Sequence, residues 1–184
     1  MDYEVSLIQE TRDLAAVRCR ALAGDIPRGE SLAMRISPIA KGAWHAVFEG
    51  GPKTSDVLTR IMSCPSSEQL CVVASGQGYV VDVLEPGSCL PIDSCYPITA
   101  ALPIKSSNLL VLADWTKVCA MNRLGIAWTS RSVSFDRLRD LRVDDEFLRG
   151  TGWSDPDAEW VEFSIDLATG IAVGGASFDD LFQA

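Results

Sequence analysis

The chain is predicted to be mainly β, built from antiparallel β-meander repeats that form an open propeller-like stack or a β-sandwich. Two observations carry this. Apolar runs of four or five residues alternate with turn formers and are too short for helices, and the pattern recurs at an interval of about 40 residues. Both are clearest in Leu109 to Trp128, LLVLADWTKVCAMNRLGIAW. Here Leu109 to Ala113 and Val118 to Met121 read as strands around a break at Asp114 to Lys117, and Asn122 to Gly125 turns the chain into Ile126 to Trp128, giving a three-stranded meander.

Near-copies lie on both sides of this stretch. VLTRIMSCPSSEQLCVVA, Val57 to Ala74, aligns with PITAALPIKSSNLLVLA, Pro97 to Ala113. Ile61 then matches Leu102, Ser66 and Ser67 match Ser106 and Ser107, and LCVVA matches LLVLA. RLRDLRVDDEFLRGTGW, Arg137 to Trp153, repeats the plan with Asp144 and Asp145 replacing the serines, Phe147 for Leu109, and Trp153 for Trp115. The units VCAMNRLGIAW and FSIDLATG resemble blades of quinoprotein- or WD-type β-propellers over Val57 to Gly175. The resemblance implies four-stranded antiparallel sheets of about 40 residues. No Gly-His pair opens the units and no Trp-Asp pair closes them. Three blades fall short of the roughly four a ring needs, so a closed propeller requires another blade from residues 1–56, and an open stack or sandwich is the preferred expectation.

The remaining elements follow in order. Asp2 to Leu22 supports either a helix begun at Thr11 or a hairpin of VSLIQ and AAVRCRAL around Thr11 to Asp13, and the β character elsewhere favours strands. Gly24 to Glu30 is a polar turn, Leu32 to Ile36 and Trp44 to Phe48 read as strands, and Gly50 to Pro52 closes the region. Gly76 to Gly78 makes a hairpin between CVVA and YVVDV. Glu85 to Pro97, with three prolines, is expected as a loop.

The length of 184 residues and 47% hydrophobic content fit one globular domain over residues 1–184, with N-terminal strands in 1–56 and three repeats in 57–175. MDYEVSLIQETRD lacks the basic and apolar regions of an export signal, and no apolar run reaches the about 18 residues that span a bilayer. A cytoplasmic protein without membrane contact is therefore expected. Its six cysteines, at 19, 64, 71, 89, 95 and 119, are expected to be reduced and mostly buried, Cys89 and Cys95 being the pair to check first.

Catalytic chemistry has little to work with. His45 is the sole histidine, in AWHAVF, without a nucleophile and acid placed to converge on it. GQGYVV lacks the later glycine and helix of a phosphate loop, and zinc spacing is missing. Asp155, Asp157, Glu159 and Asp166 imitate part of a calcium loop, but Trp160 stands where glycine is required, so a hairpin loop between Trp153 and Trp160 is expected. Asp114, Asp136 and Asp166 could act as acids or bases, but no spacing selects them. No enzyme activity, metal or cofactor is expected.

Charge is the strongest pointer to function. Residues 1–135 carry 13 acidic and 12 basic side chains, whereas residues 136–184 carry 12 acidic and 4 basic. Such a surface steers basic partners and repels nucleic acid. Aromatic residues accompany the acids, a composition suited to an interface. The expected partner-binding residues are Asp144, Asp145, Glu146, Asp155, Asp157, Glu159, Trp160, Phe178, Asp179 and Asp180, with Trp153 assigned to the core by its match to Trp115. The resulting expectation is a non-enzymatic binding protein, such as an immunity or inhibitor protein that covers a basic toxin. The alternative is a scaffold subunit whose open strand edges pair with neighbours.

Overall fold

The computed structural model describes residues 3–9, 15–21 and 28–177, and every regular element among them is a strand. The Thr11 to Asp13 turn of the expected hairpin lies outside the described residues. No helix is long and apolar enough to cross a membrane among the described residues. Contacts group the chain into two compact units, Met1–Ile98 and Thr99–Ala184.

The first unit opens with β1 (Tyr3–Leu7), β2 (Val17–Cys19), β3 (Leu32–Pro38) and β4 (Trp44–Phe48), hydrogen-bonded in the order β1-β3-β4-β2. The expected strands form, but not as a hairpin. β1 pairs with β3 and β2 runs parallel to β4, so the two are opposite edges of one sheet. This order separates residues 1–56 from the meander repeats that follow. The cause lies in β3 and β4, whose alternating Met34, Ile36, Trp44, Ala46 and Phe48 are buried and claim the central positions.

β5 (Arg60–Ser63), β6 (Gln69–Ala74), β7 (Gln77–Asp82) and β8 (Cys89–Ile92) form the unit's second sheet, an antiparallel meander. The expected loop at Glu85 to Pro97 thus contains a strand. β8 is an edge, where Pro91 need not supply an inner ladder donor. Leu70, Val72, Ala74, Tyr79 and Val81 on one face of β6 and β7 share a core with the buried side chains of β3 and β4. Cys71 and Val73 on the opposite face of β6 are also fully buried, which explains why LCVVA reads as a continuous apolar run instead of an alternation.

A disulfide between Cys19 and Cys89 joins β2 to β8 across 70 residues. This corrects the expectation of reduced thiols for two of the six cysteines, and Cys89 bonds to Cys19, not Cys95. Cys64, Cys71, Cys95 and Cys119 are buried thiols.

Tyr79 anchors this core. Its ring is fully buried against Phe48, with centroids 5.3 Å apart, and its hydroxyl donates to the Glu49 carbonyl at 2.6 Å. Burial above all, then the neighbouring Glu49 charge, raises its pKa. Tyr79→Phe leaves that carbonyl without its donor, and a loss of about 1.5 kcal/mol is expected in urea unfolding. Because the folded pKa exceeds the unfolded value near 10, the wild-type contribution is present below pH 10 and fades as pH rises through the folded pKa. The variant's stability should therefore fall less steeply above pH 10.

The second unit repeats the meander twice. β9 (Ala100–Ile104), β10 (Leu109–Ala113), β11 (Val118–Asn122) and β12 (Gly125–Thr129) form one sheet; β13 (Leu138–Asp144), β14 (Phe147–Ser154), β15 (Glu159–Asp166) and β16 (Ala172–Gly174) form the other. Each expected three-stranded module is therefore a four-stranded sheet. Val111, Val118, Ala120 and Trp128 of the first pack with Leu148, Phe163 and Ile165 of the second in one core.

β13 carries an irregularity between Arg139 and Arg142, with Asp140 at a φ of 57°. Its neighbour β14 has Gly150 and Gly152 on the buried face. The backbone of Val133 crosses directly over Gly152, and the Val133 carbonyl accepts the Ala176 N–H at 3.0 Å.

Candidate protein-binding surface

The expected site residues fall on the final sheet, where β14 and β15 pair along their full length with Phe147 opposite Asp166 and Ser154 opposite Glu159. Side chains on paired positions share a face. The outward face therefore carries Phe147, Arg149, Thr151 and Trp153 from β14, with Trp160, Glu162, Ser164 and Asp166 from β15.

Trp153 belongs to this outward face, not to the core. β14 is eight residues long where β10 is five, so Trp153 is still in a strand, whereas Trp115 follows the end of β10 in a turn. Their match in the alignment does not extend to structure. Trp153 and Trp160 meet edge to face at 5.4 Å, and the Arg139 guanidinium lies 3.7 Å from the Trp160 ring centroid. Such a stack holds an arginine over an aromatic face.

The carboxylates gather at the two ends of β14, separated by roughly 24 Å at the usual strand rise. Asp155, Asp157 and Glu159 lie at one end. The Trp153 indole N–H donates to Asp155 and the Ser154 hydroxyl to Asp157, each at 2.7 Å, so both acids brace their own hairpin. Asp144, Asp145, Glu146 and Asp166 lie at the other end. Phe178, Asp179 and Asp180 lie outside the described residues.

Four arginines run between these ends and partly neutralise the acids. Asp144 pairs with Arg149 at 2.8 Å, Asp140 with Arg139 at 3.4 Å and Asp136 with Arg137 at 3.5 Å, all exposed. Solvent screens such pairs, and each is worth little by itself. Among the described residues, Asp145, Glu146, Asp155, Asp157 and Glu159 have no ion-pair partner.

The Asp144 end is concave. A groove of about 540 Å³ runs among the turns that close β9–β10, β13–β14 and β15–β16. Leu109, Trp128 and Leu167 are its more buried lining, Asp145, Glu146 and Asp166 its more exposed one. The Leu167 N–H donates to the Glu146 carbonyl at 2.9 Å and the Trp128 indole N–H to the Leu167 carbonyl at 2.8 Å. These two bonds tie both acidic turns to the indole.

Asp166 is held ionised. Its Oδ1 accepts the Thr169 hydroxyl at 2.8 Å and the N–H groups of Thr169 and Ala168 at 2.8 and 3.0 Å. The Thr169 hydroxyl is the largest cause of its lowered pKa. Asp114 uses one oxygen in the same manner, accepting from Thr116 and Lys117. Of the three residues that sequence offered as acids or bases, Asp114 and Asp166 are thus committed to turns, and Asp136 faces Arg137. His45 is half-buried on β4 between buried Trp44 and Ala46. Among the described residues no group of three or more potential ligands is placed to hold a metal ion.

Sequence reasoning missed the groove, although the alignment contained its signal. Ser106 and Ser107 in one turn match Asp144 and Asp145 in another, and the groove takes residues from both turns. Compared with known proteins, the chain matches no family and no curated protein at significant similarity.

Proposed function

We propose that this is a non-enzymatic protein-binding protein that engages a basic partner through the carboxylates of its final sheet, in the manner of an immunity or inhibitor protein. One observation carries the reading. After neighbouring arginines have taken Asp136, Asp140 and Asp144, seven further carboxylates remain without a cationic partner among the described residues: Glu162 in mid-strand, and Asp145, Glu146, Asp155, Asp157, Glu159 and Asp166 in or beside the turns where a partner can reach them.

A field of one sign accelerates encounter with a basic protein and loses strength as salt screens it. The exposed turns also let long cationic side chains approach without unpacking a strand. The Cys19–Cys89 bridge favours a partner met outside the reducing cytosol. The propeller-blade resemblance remains a proposal about how the four-stranded sheets are assembled.

The test is calorimetric titration with the basic proteins encoded beside its gene, at low and at physiological ionic strength. Binding to one of them that weakens as salt rises is the expected result. No binding to any of them at low salt overturns the reading.

A further inference from the structure

We infer that the groove beside Trp128 is a receptor for one arginine side chain of the basic partner. The inference rests on the reading above and adds the place and chemistry of the central contact. An arginine has an apolar stem ending in a planar cation with five donors. The groove has that same polarity along its depth. Buried Trp128 and half-buried Leu109 supply apolar surface, and exposed Asp145 and Glu146 with half-buried Asp166 supply acceptors.

Charge complementarity selects this occupant over the others a half-apolar groove could take. A neutral peptide would leave three carboxylates facing it, and an acidic one would be repelled. A lysine ammonium is a compact point charge, whereas the guanidinium fork can bond to two carboxylates at once and lie against an indole. One acceptor is already fixed, since Asp166 is clamped by Thr169, and the backbone that carries Glu146 is bonded to Leu167, so part of the ordering that binding would cost is in place beforehand.

The opposite end of β14 lacks these features. Asp155 and Asp157 each accept a hydrogen bond from their own hairpin, and those acids form no part of this groove.

The test is an NMR titration of the full chain with capped arginine, N-acetyl-arginine methylamide, and with its uncharged isostere, capped citrulline. Shifts centred on Ser107, Asp145, Glu146, Leu167 and the Trp128 indole N–H are expected with arginine only. A double variant, Asp145→Asn with Glu146→Gln, should weaken arginine binding about tenfold, the size of one lost charge-assisted hydrogen bond. Asn tolerates the positive φ at position 145 as Asp does, so this variant is expected to fold. Glu68→Gln with Asp93→Asn, which removes the same charge at two exposed carboxylates outside the groove, should change affinity by less than about twofold.

Equal shifts from citrulline, shifts centred on Asp155 to Glu159, or equal losses in both double variants overturn the inference. If a neighbouring basic protein binds the groove variant with undiminished, salt-sensitive affinity, the groove fails while the proposed function stands. If capped arginine occupies the groove but no neighbouring basic protein binds, the proposed function fails and the groove stands.

Discussion

Removing the Cys19–Cys89 bridge is expected to lower stability by about 4 kcal/mol, the loop-closure entropy of a cross-link across 70 residues. The bond joins strands that are otherwise weakly held. β2 is three residues long and meets its sheet only through a parallel pairing of Val17, Arg18 and Cys19 with β4. β8 is four residues long and, as an edge strand, has only β7 as a ladder partner. Without the bridge, the unfolded chain regains the freedom of everything from β3 to β7, and both edges can fray before the core opens. The check is urea unfolding of a Cys19→Ala, Cys89→Ala variant beside the wild type, each with and without reductant. Reductant should shift the wild type towards the variant and leave the variant unmoved. A wild-type midpoint indifferent to reductant would refute a stabilising bridge.

Gly152→Ala is expected to cost about 3 kcal/mol, at the upper end of the usual range for overpacking. An added Cβ would collide with the Val133 carbonyl and lie 2.9 Å from the Ser134 Cβ. These neighbours cannot yield by a rotamer change. Val133 is fully buried, its N–H donates to Thr116 at 2.8 Å, and its carbonyl holds Ala176. Ser134 is equally fixed, accepting the Trp153 N–H at 2.9 Å and donating to the Arg137 carbonyl at 2.6 Å. Making room therefore means moving the connecting segment off β14 and losing some of these bonds. Gly42→Ala is the matched control, since nothing lies within 4 Å of its Cβ position, and a change within about 0.5 kcal/mol is expected there. Thermal melts of the two variants make the comparison; equal melting temperatures would show that the Val133 segment is not packed as described.

Local pattern carried much of the fold. Runs such as LCVVA and LLVLA gave strands at β6 and β10 because both of their faces are buried, and the turns between them contain the expected glycines and aspartates. Short edge strands were harder to see. β8 was hidden because Pro91 and the prolines that flank the strand read as loop, and β16 because it is only three residues long. Pairing beyond nearest neighbours was invisible for a different reason. Whether β1 joins β2 or β3 depends on which strands bury the most side chains, and neither strand encodes that alone. The 70-residue disulfide is of the same kind, since spacing ranked Cys95 as the nearer partner.

The candidate site was legible in composition but not in shape. The excess of acid after residue 135 falls on the final sheet, but alternation along β14 and β15 sets arginines and tryptophans between its acidic ends. Trp153 was misplaced because β14 extends beyond its counterpart, carrying the residue past the point where the repeats correspond.

The irregularity in β13 limits how this sheet can be recognised. A flat outer strand would present an unbroken row of amide and carbonyl groups onto which a foreign strand could zip. Here the left-handed Asp140 interrupts the row, with Arg139 and Arg142 charged on either side, and the opposite margin ends at Gly174 and Gly175, both at positive φ. Main-chain templating is blunted at both margins, and with it a common route to fibres. A partner of the proposed kind would then have to read side chains, and a single substitution in it could abolish binding where a zipped strand would have tolerated the change.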